Sequence, residues 1–460
     1  MNAEQIFLSN QKQIFDDFFT FLRFPSIATD SQYLQDVQDC ASWLKAFIEN
    51  CGLEVQQWDE QNIPTLLATD LRAGPHKKTL LLYAHYDVQP VDPLNLWTTP
   101  PFEPSLRDGN IYARGASDDK GQCFYTLCAI RDFIKHYGSL PINLKFLIEG
   151  EEESGSVGLS KLLKTKKESL QADHLLVVDS GMEKLDQPTL ALGARGILTM
   201  TLKLIEGHGD MHSGHCGGLA INPNRALVQL LAKLHHENGR VAIEGFYDDV
   251  KDPTAEERAG LDCHFDLQAF EACHGFQPRG MEEGVDPITS NWFRPTLEIN
   301  GLSGGYGGEG FKTVIPSVAL AKLSCRLVPD QKPDKIAQLV TDFLKQHTPA
   351  SLKLEIEIHP GAAPGFRRLP NSSLVQLVSQ SYEDVFKAPC KKILMGGSIP
   401  IVPQLMEAAH AEVLLIGTAL PTNCIHAPNE HFSTESFMKG YLTIFRLLEL
   451  YQVEAQKNKT

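Results

Sequence analysis

The chain has 460 residues, 42% of them hydrophobic and 22% charged, and a formal net charge of −15 from 57 acidic and 42 basic side chains. That length predicts two domains rather than one small core. The acidic balance argues against a nucleic-acid or anionic-membrane partner, which would need a basic patch, and no run of about 18 apolar residues offers a membrane span.

Met1 to Phe19 mixes charged and apolar positions, so no secretory signal core is expected there. Two helices are predicted at the start, over Ala3–Leu22 and Gln32–Asn50, the second ending before Cys51-Gly52. Apolar runs then alternate with helical stretches. Strands are expected at 79–84, 143–148 and 175–178, with a helix over Gly121–His136. Strands without clean alternation, separated by helices, predict a sheet covered on both faces. Residues 1–195 are therefore expected to be α/β. After Gly196 the pattern changes. Residues 198–204 alternate as a half-exposed strand does, a helix is expected over Asn224–His236, and a polar, turn-rich stretch runs from Tyr247 to Asn291. A strand at 319–326, a helix over Lys335–Gln346 and a strand at 352–358 follow. This reads as an α+β domain over 196–368, inserted into an α/β domain that residues 369–460 complete. The ten cysteines have no CxxC spacing, which predicts buried free thiols in a reducing, cytoplasmic compartment.

Several segments carry residues able to do chemistry. His85 and Asp87 directly follow the strand 79–84, where open α/β sheets bind ligands. His85 can ligate a metal while Asp87 takes its second ring N–H, though alone the pair reads more simply as a hydrogen-bonded surface pair. Asp118 and Asp119 precede a helix; they fit a helix cap and also a carboxylate bridging two metals. Glu149, Glu151, Glu152 and Glu153 leave the strand 143–148, where clustered like charges repel unless a cation offsets them. Asp179 repeats the strand-then-acid pattern. His426 stands in a loop before the last helix. His208, His212 and His215 lie among glycines that disfavour a helix presenting paired ligands, so no metal site is expected there. The run Gly305–Gly310 matches GxGxxG, but a β-rich segment ending in Pro316 follows it, not the helix that a dinucleotide site requires.

Taken in order, these segments resemble the M20 family of metallopeptidases, most closely its carnosinase-like and cytosolic non-specific dipeptidase branch. The resemblance is carried by His85-Tyr86-Asp87-Val88-Gln89-Pro90, by Ala113 to Gly121, by Glu149 to Ser156 and by His426-Ala427-Pro428-Asn429-Glu430. Asp210-Met211-His212-Ser213-Gly214, Arg294 to Glu298, Lys312 to Pro316 and Arg326-Leu327-Val328-Pro329 extend it over nearly the whole chain. It implies two divalent metals, zinc first and manganese or cobalt as alternatives. His85 and Asp179 would bind one, Glu153 and His426 the other, and Asp118 both. It makes Glu152 the general base, with Asp87 beside it in the catalytic set. Arg326 would hold a substrate carboxylate, and Ser398 would line the pocket. His212 would reach into the neighbouring active site of a homodimer, built on an inserted lid and dimerisation domain. The Asp118–Asp119 peptide bond is expected to be cis. The family pattern departs at Leu394-Met395, where relatives carry Arg-Glu before Gly-Gly-Ser, which weakens recognition of a free amino group.

The expected activity is hydrolysis of the peptide bond in dipeptides or short peptides with a free C-terminal carboxylate. An N-acyl amino acid deacylase, of the acetylornithine deacetylase or succinyl-diaminopimelate desuccinylase type, is the alternative with the same site chemistry. A metal-dead binding or scaffold protein is the alternative from another class.

Overall fold

Apolar runs become strands here because the sheet they join is covered on both faces. The computed structural model describes residues 1–60 and 62–457. Its large mixed sheet runs in the order Glu54–Glu60, Ile63–Asp70, Asn143–Glu149, Thr79–His85, His174–Val177, Glu412–Leu415, Thr189–Ala194, Phe366–Arg367. Lys391–Met395 also pairs with Thr189–Ala194. Asn143–Glu149 and His174–Val177 flank Thr79–His85, both parallel to it, so three strand C-termini open on one edge. Strand 143–149 is buried along its whole length, which explains its unbroken apolar character.

Helices cover both faces. Ala3–Leu22 starts at an Asn2–Gln5 capping box, which satisfies two orphan backbone donors. It packs with Lys120–Tyr137 and Thr434–Lys457 over one face of the sheet. Val157–Thr165 and Val402–Ala409 pack on the other face. The second expected helix is Leu34–Asn50, preceded by a 3₁₀ turn over Ser31–Tyr33.

A second, antiparallel sheet has the order Thr296–Gly304, Val318–Leu327, Gly196–Ile205, Lys353–Ile358. Burial alternates strictly along Gly196–Ile205, because only one face packs, against helices Pro223–Leu231 and Pro333–His347. Arg195 is the single residue between the strand in the large sheet and the strand in the small one. Phe366–Arg367 pairs back onto Gly193 and Ala194. The protein is thus a helix-flanked mixed α/β sheet with an added α+β unit.

Three local expectations are corrected. The helix after Asn222 ends at Leu231 rather than His236, because His235 bridges Val241 around Gly239 at φ 82°. The stretch 247–291 is not all turns. It holds the short helices Ala255–Ala259, Leu267–His274 and Pro287–Phe293, capped by Thr254, Asp266 and Asp286, and Leu261, Ile288 and Phe293 join the core of the large sheet. The ten cysteines are free, but Cys273 and Cys424 are exposed rather than buried. The run Gly305–Gly310 leads into strand Val314–Ile315. Among the described residues no helix is long and apolar enough to cross a membrane.

Candidate active site

The three parallel strand ends deliver His85, the run 149–153 and Asp179 to one edge of the large sheet. Two loops complete the group. Asp118 comes from the turn before helix Lys120–Tyr137, and its peptide bond to Asp119 is cis. His426 comes from the loop before strand His431–Ser433. That loop holds Cys424, His426 and Asn429 at positive φ, a backbone state that persists in non-glycine residues only where the surroundings impose it. Asn429 pins the loop by accepting the Thr98 N–H at 2.8 Å and donating to the Leu96 carbonyl at 2.9 Å.

Asp118 sits at the centre. Its Oδ1 lies 3.1 Å from His85 Nε2 and its Oδ2 lies 2.9 Å from His426 Nε2. Asp179 Oδ1 is 4.0 Å from His85 Nε2, and Glu153 Oε1 is 3.2 Å from His426 Nε2. Two groups result, His85–Asp118–Asp179 and Asp118–Glu153–His426. In each, the potential ligand atoms lie within 4.8 Å of one another.

The electrostatics favour added positive charge. The carboxylates of Asp118 and Glu153, 2.9 Å and 3.2 Å from its Nε2, raise the His426 pKa to about 10. Burial works against a charged His85, yet its bonds to Asp118 and Asp87 carry its pKa well above the usual imidazole value. Burial also opposes ionisation of Asp118, but hydrogen bonds from the two histidines hold it below the usual carboxylate range. Burial pushes Asp179 up to about 7 and Glu152 well above its ordinary value. Mixed imidazole and carboxylate donors suit zinc, manganese or cobalt. Glu153 Oε1 is buried and accepts no hydrogen bond of good geometry, so the donor set fits divalent cations.

The surrounding side chains fix these groups in place. Asp87 accepts the backbone N–H of Glu152 at 3.1 Å and of Glu153 at 3.0 Å, and its Oδ1 is 3.3 Å from His85 Nδ1. It therefore ties the histidine to the glutamate pair, as outer partners of metal ligands do. The four acids of the run separate by task. Glu149 is buried, meets Tyr83 Oη at 2.5 Å, and is raised to about 8 by burial. Glu151 accepts the Leu159 N–H at 2.8 Å, Glu153 meets His426, and Glu152 lies close enough to His85 and Asp179 for their charges to act on it. Asp119 occupies the cap position of its helix without capping it; its Oδ2 accepts the His85 N–H at 3.2 Å.

Three supporting residues escape sequence reasoning. Glu430 is buried and accepts N–H groups from Gly115, Ser117 and Asp118 and from Arg114 Nη1. Its position four residues after His426 was legible, but its destination was not. Gln89 donates to Glu153 Oε2 at 2.7 Å. Arg195 donates to the Gly396 carbonyl at 2.9 Å, while burial and the nearby Arg326 lower its pKa to about 10.

Arg326, on the small sheet, donates to Ser398 Oγ at 2.8 Å. With Arg195 it forms a cationic group on the segment 396–398. His212 is not brought to the cluster of its own chain. It is exposed, its Nδ1 accepts the Gly214 N–H at 3.0 Å, and its ring stacks on His215 at 4.5 Å. Of the pair Leu394-Met395, Leu394 is packed in the core and Met395 faces the site, where Ser180 Oγ lies 3.7 Å from its sulfur.

The sequence model of peptidase family M20/M25/M40 matches residues 81–450. The chain is 29% identical over 406 residues to Beta-Ala-His dipeptidase of Rattus norvegicus, covering 86% of this chain and 82% of the relative. It is 29% identical over 450 residues to Cys-Gly metallodipeptidase DUG1 of Candida albicans, covering 93% and 92%. The crystal structure of an M20 family metallo-carboxypeptidase, Sso-CP2 from Sulfolobus solfataricus, superposes with a TM-score of 0.86 at 32% identity, covering 96% of this chain and 99% of that one. The family match takes in every segment of the acidic cluster and the whole second sheet, and on it the chain belongs to peptidase family M20/M25/M40 and is a peptidase of the hydrolase class.

Proposed function

We propose that the protein is a dinuclear metallopeptidase that hydrolyses dipeptides or short peptides bearing a free C-terminal carboxylate. The observation that carries this reading is Asp118, which offers one oxygen to each of two ligand groups. His85 and Asp179 would hold one ion, Glu153 and His426 the other, and Asp118 both. Zinc is the first candidate, with manganese or cobalt able to serve. Bound divalent ions supply Lewis-acid polarisation of the carbonyl and make a water acidic at neutral pH.

The chain's own groups do the rest. Glu152 takes a proton from the attacking water. The water oxygen bonds to the carbonyl carbon, the C–N bond breaks, and Glu152 returns the proton to the leaving amine. Asp87 keeps Glu152 in position through its backbone N–H and orients His85. Arg326, beside Ser398 and Arg195, receives the carboxylate in a planar fork that a lysine cannot offer.

His212 would complete the site of a second subunit by donating to the developing oxyanion. Its exposure, and its place outside both ligand groups of its own chain, support that role, and with it a homodimer in which residues 196–368 serve as lid and dimer platform. Ten unpaired cysteines support a reducing, cytoplasmic setting. Relatives named for dipeptides favour peptide hydrolysis over N-acyl deacylation. The test is a panel of dipeptides, tripeptides and N-acyl amino acids with added zinc or manganese. Cleavage of the peptides supports the reading, and cleavage of the N-acyl amino acids alone overturns it.

A further inference from the structure

Beside the acidic cluster lies a cavity of about 370 Å³ with Asp118 and Asp179 in its wall. Its volume falls in the range of small-molecule sites, roughly 300–1,000 Å³. Much of its remaining wall is apolar, from Met182, Ile393, Met395, Leu420, Pro421 and Ile425. Strand alternation explains part of this: along Lys391–Met395, Ile393 and Met395 face the cavity while Leu394 enters the core.

Charge decides which half of a substrate fits. The charged side chains in the wall are Asp118, Asp179 and Glu183, all acidic, and no lysine, arginine or histidine lines it among the described residues. With Asp118 and Asp179 committed to the ligand groups, the wall still offers no side-chain cation to pair with a peptide carboxylate. The cations gather instead on the segment that follows Met395, where Arg195 bonds Gly396 and Arg326 bonds Ser398. A peptide whose carboxylate rests on those arginines, with its scissile bond at Asp118, has its leaving half accounted for. The residue on the acyl side is the part left to enter the cavity.

We propose that this cavity seats an apolar side chain on the acyl side of the scissile bond, giving the enzyme a preference for short peptides with leucine or methionine there. The proposal rests on the reading that the chain cuts peptide bonds. Discrimination in an apolar pocket is worth about 10–200-fold per methylene, so the preference over glycine is expected to exceed about 30-fold in kcat/KM.

The experiment uses the zinc- or manganese-loaded full chain with leucyl-glycine, glycyl-glycine, aspartyl-glycine and glycyl-leucine. Leucyl-glycine is expected to be cut best, glycyl-leucine well below it, and aspartyl-glycine worst. Met395→Glu should erase the leucine advantage and raise lysyl-glycine about 10-fold; Met395→Ala, a milder change, should narrow the advantage. Calorimetric titration of leucyl-glycine and glycyl-glycine into the metal-loaded Glu152→Gln variant reads the same order in Kd, whether or not either peptide is cut. Cleavage with no acyl-side preference and equal Kd values overturns the cavity assignment and leaves the hydrolytic reading standing. Ordered Kd values without cleavage in the wild type keep the cavity and sink the hydrolytic reading. Neither cleavage nor ordered binding removes both.

Discussion

The Glu430 carboxylate accepts the backbone N–H of Asp118 at 3.0 Å, and its four bonds in all hold the segment 114–118 against the loop that carries His426. One buried side chain therefore positions both the shared carboxylate and a histidine of the second ligand group. Glutamine has the same shape but turns an N–H₂ toward donors that need an acceptor. Glu430→Gln is expected to lower metal affinity about 10–100-fold, the usual cost of losing an outer-sphere partner. Competition with a chelator measures it, with circular dichroism as the check on folding. Wild-type affinity in a folded variant contradicts the positioning role.

Glu152→Gln should keep its metals and lose about 10²–10⁴-fold in turnover, because an amide cannot take the water's proton. Metal content by atomic spectroscopy and kcat on a dipeptide are the two readings. A metal-loaded variant with near-normal kcat removes Glu152 from the role of base.

Arg326→Ala removes a guanidinium that bonds Ser398 at 2.8 Å. Hydrogen bonds to charged groups are worth about 1.5–3 kcal/mol, so kcat/KM for free-carboxylate peptides should fall about 10–150-fold. Peptides ending in an amide should lose little further, since they never made that contact. Equal losses on both substrates would point to misfolding or a different role.

His212 is exposed and belongs to neither ligand group of its own chain. In a shared-site dimer, His212→Ala should lose about 10²–10³-fold in turnover with metal content unchanged. Co-expression with Glu152→Gln should restore activity, because one site of the mixed dimer then has both residues intact. A monomeric active enzyme, or mixed dimers that regain nothing, contradicts the shared site.

The reach of the sequence varied with how local each signal was. The run 79–84 announced a buried strand and placed His85 at its end, because burial on both faces leaves an apolar trace in consecutive residues. Alternation along 198–204 likewise announced a sheet with one packed face. Helices Ala255–Ala259 and Pro287–Phe293 escaped because five and seven residues give too few turns for a period. The meeting of Asp118 with His426 joins positions 308 apart, and nothing in the spacing encodes it; only the family resemblance proposed it. Glu430 stood in a quoted segment, yet its burial against Arg114 depends on the fold of both loops. The pair Leu394-Met395 read as one departure, whereas the pleat sends one residue into the core and the other to the site.

The most direct test strips the full chain with a chelator and titrates zinc or manganese back while following hydrolysis of leucyl-glycine. A dinuclear site predicts no turnover without metal, activity that saturates at two ions per chain, and loss of the second equivalent in His426→Ala. Undiminished hydrolysis in excess chelator, or saturation with two ions bound and no peptide cut, would contradict it.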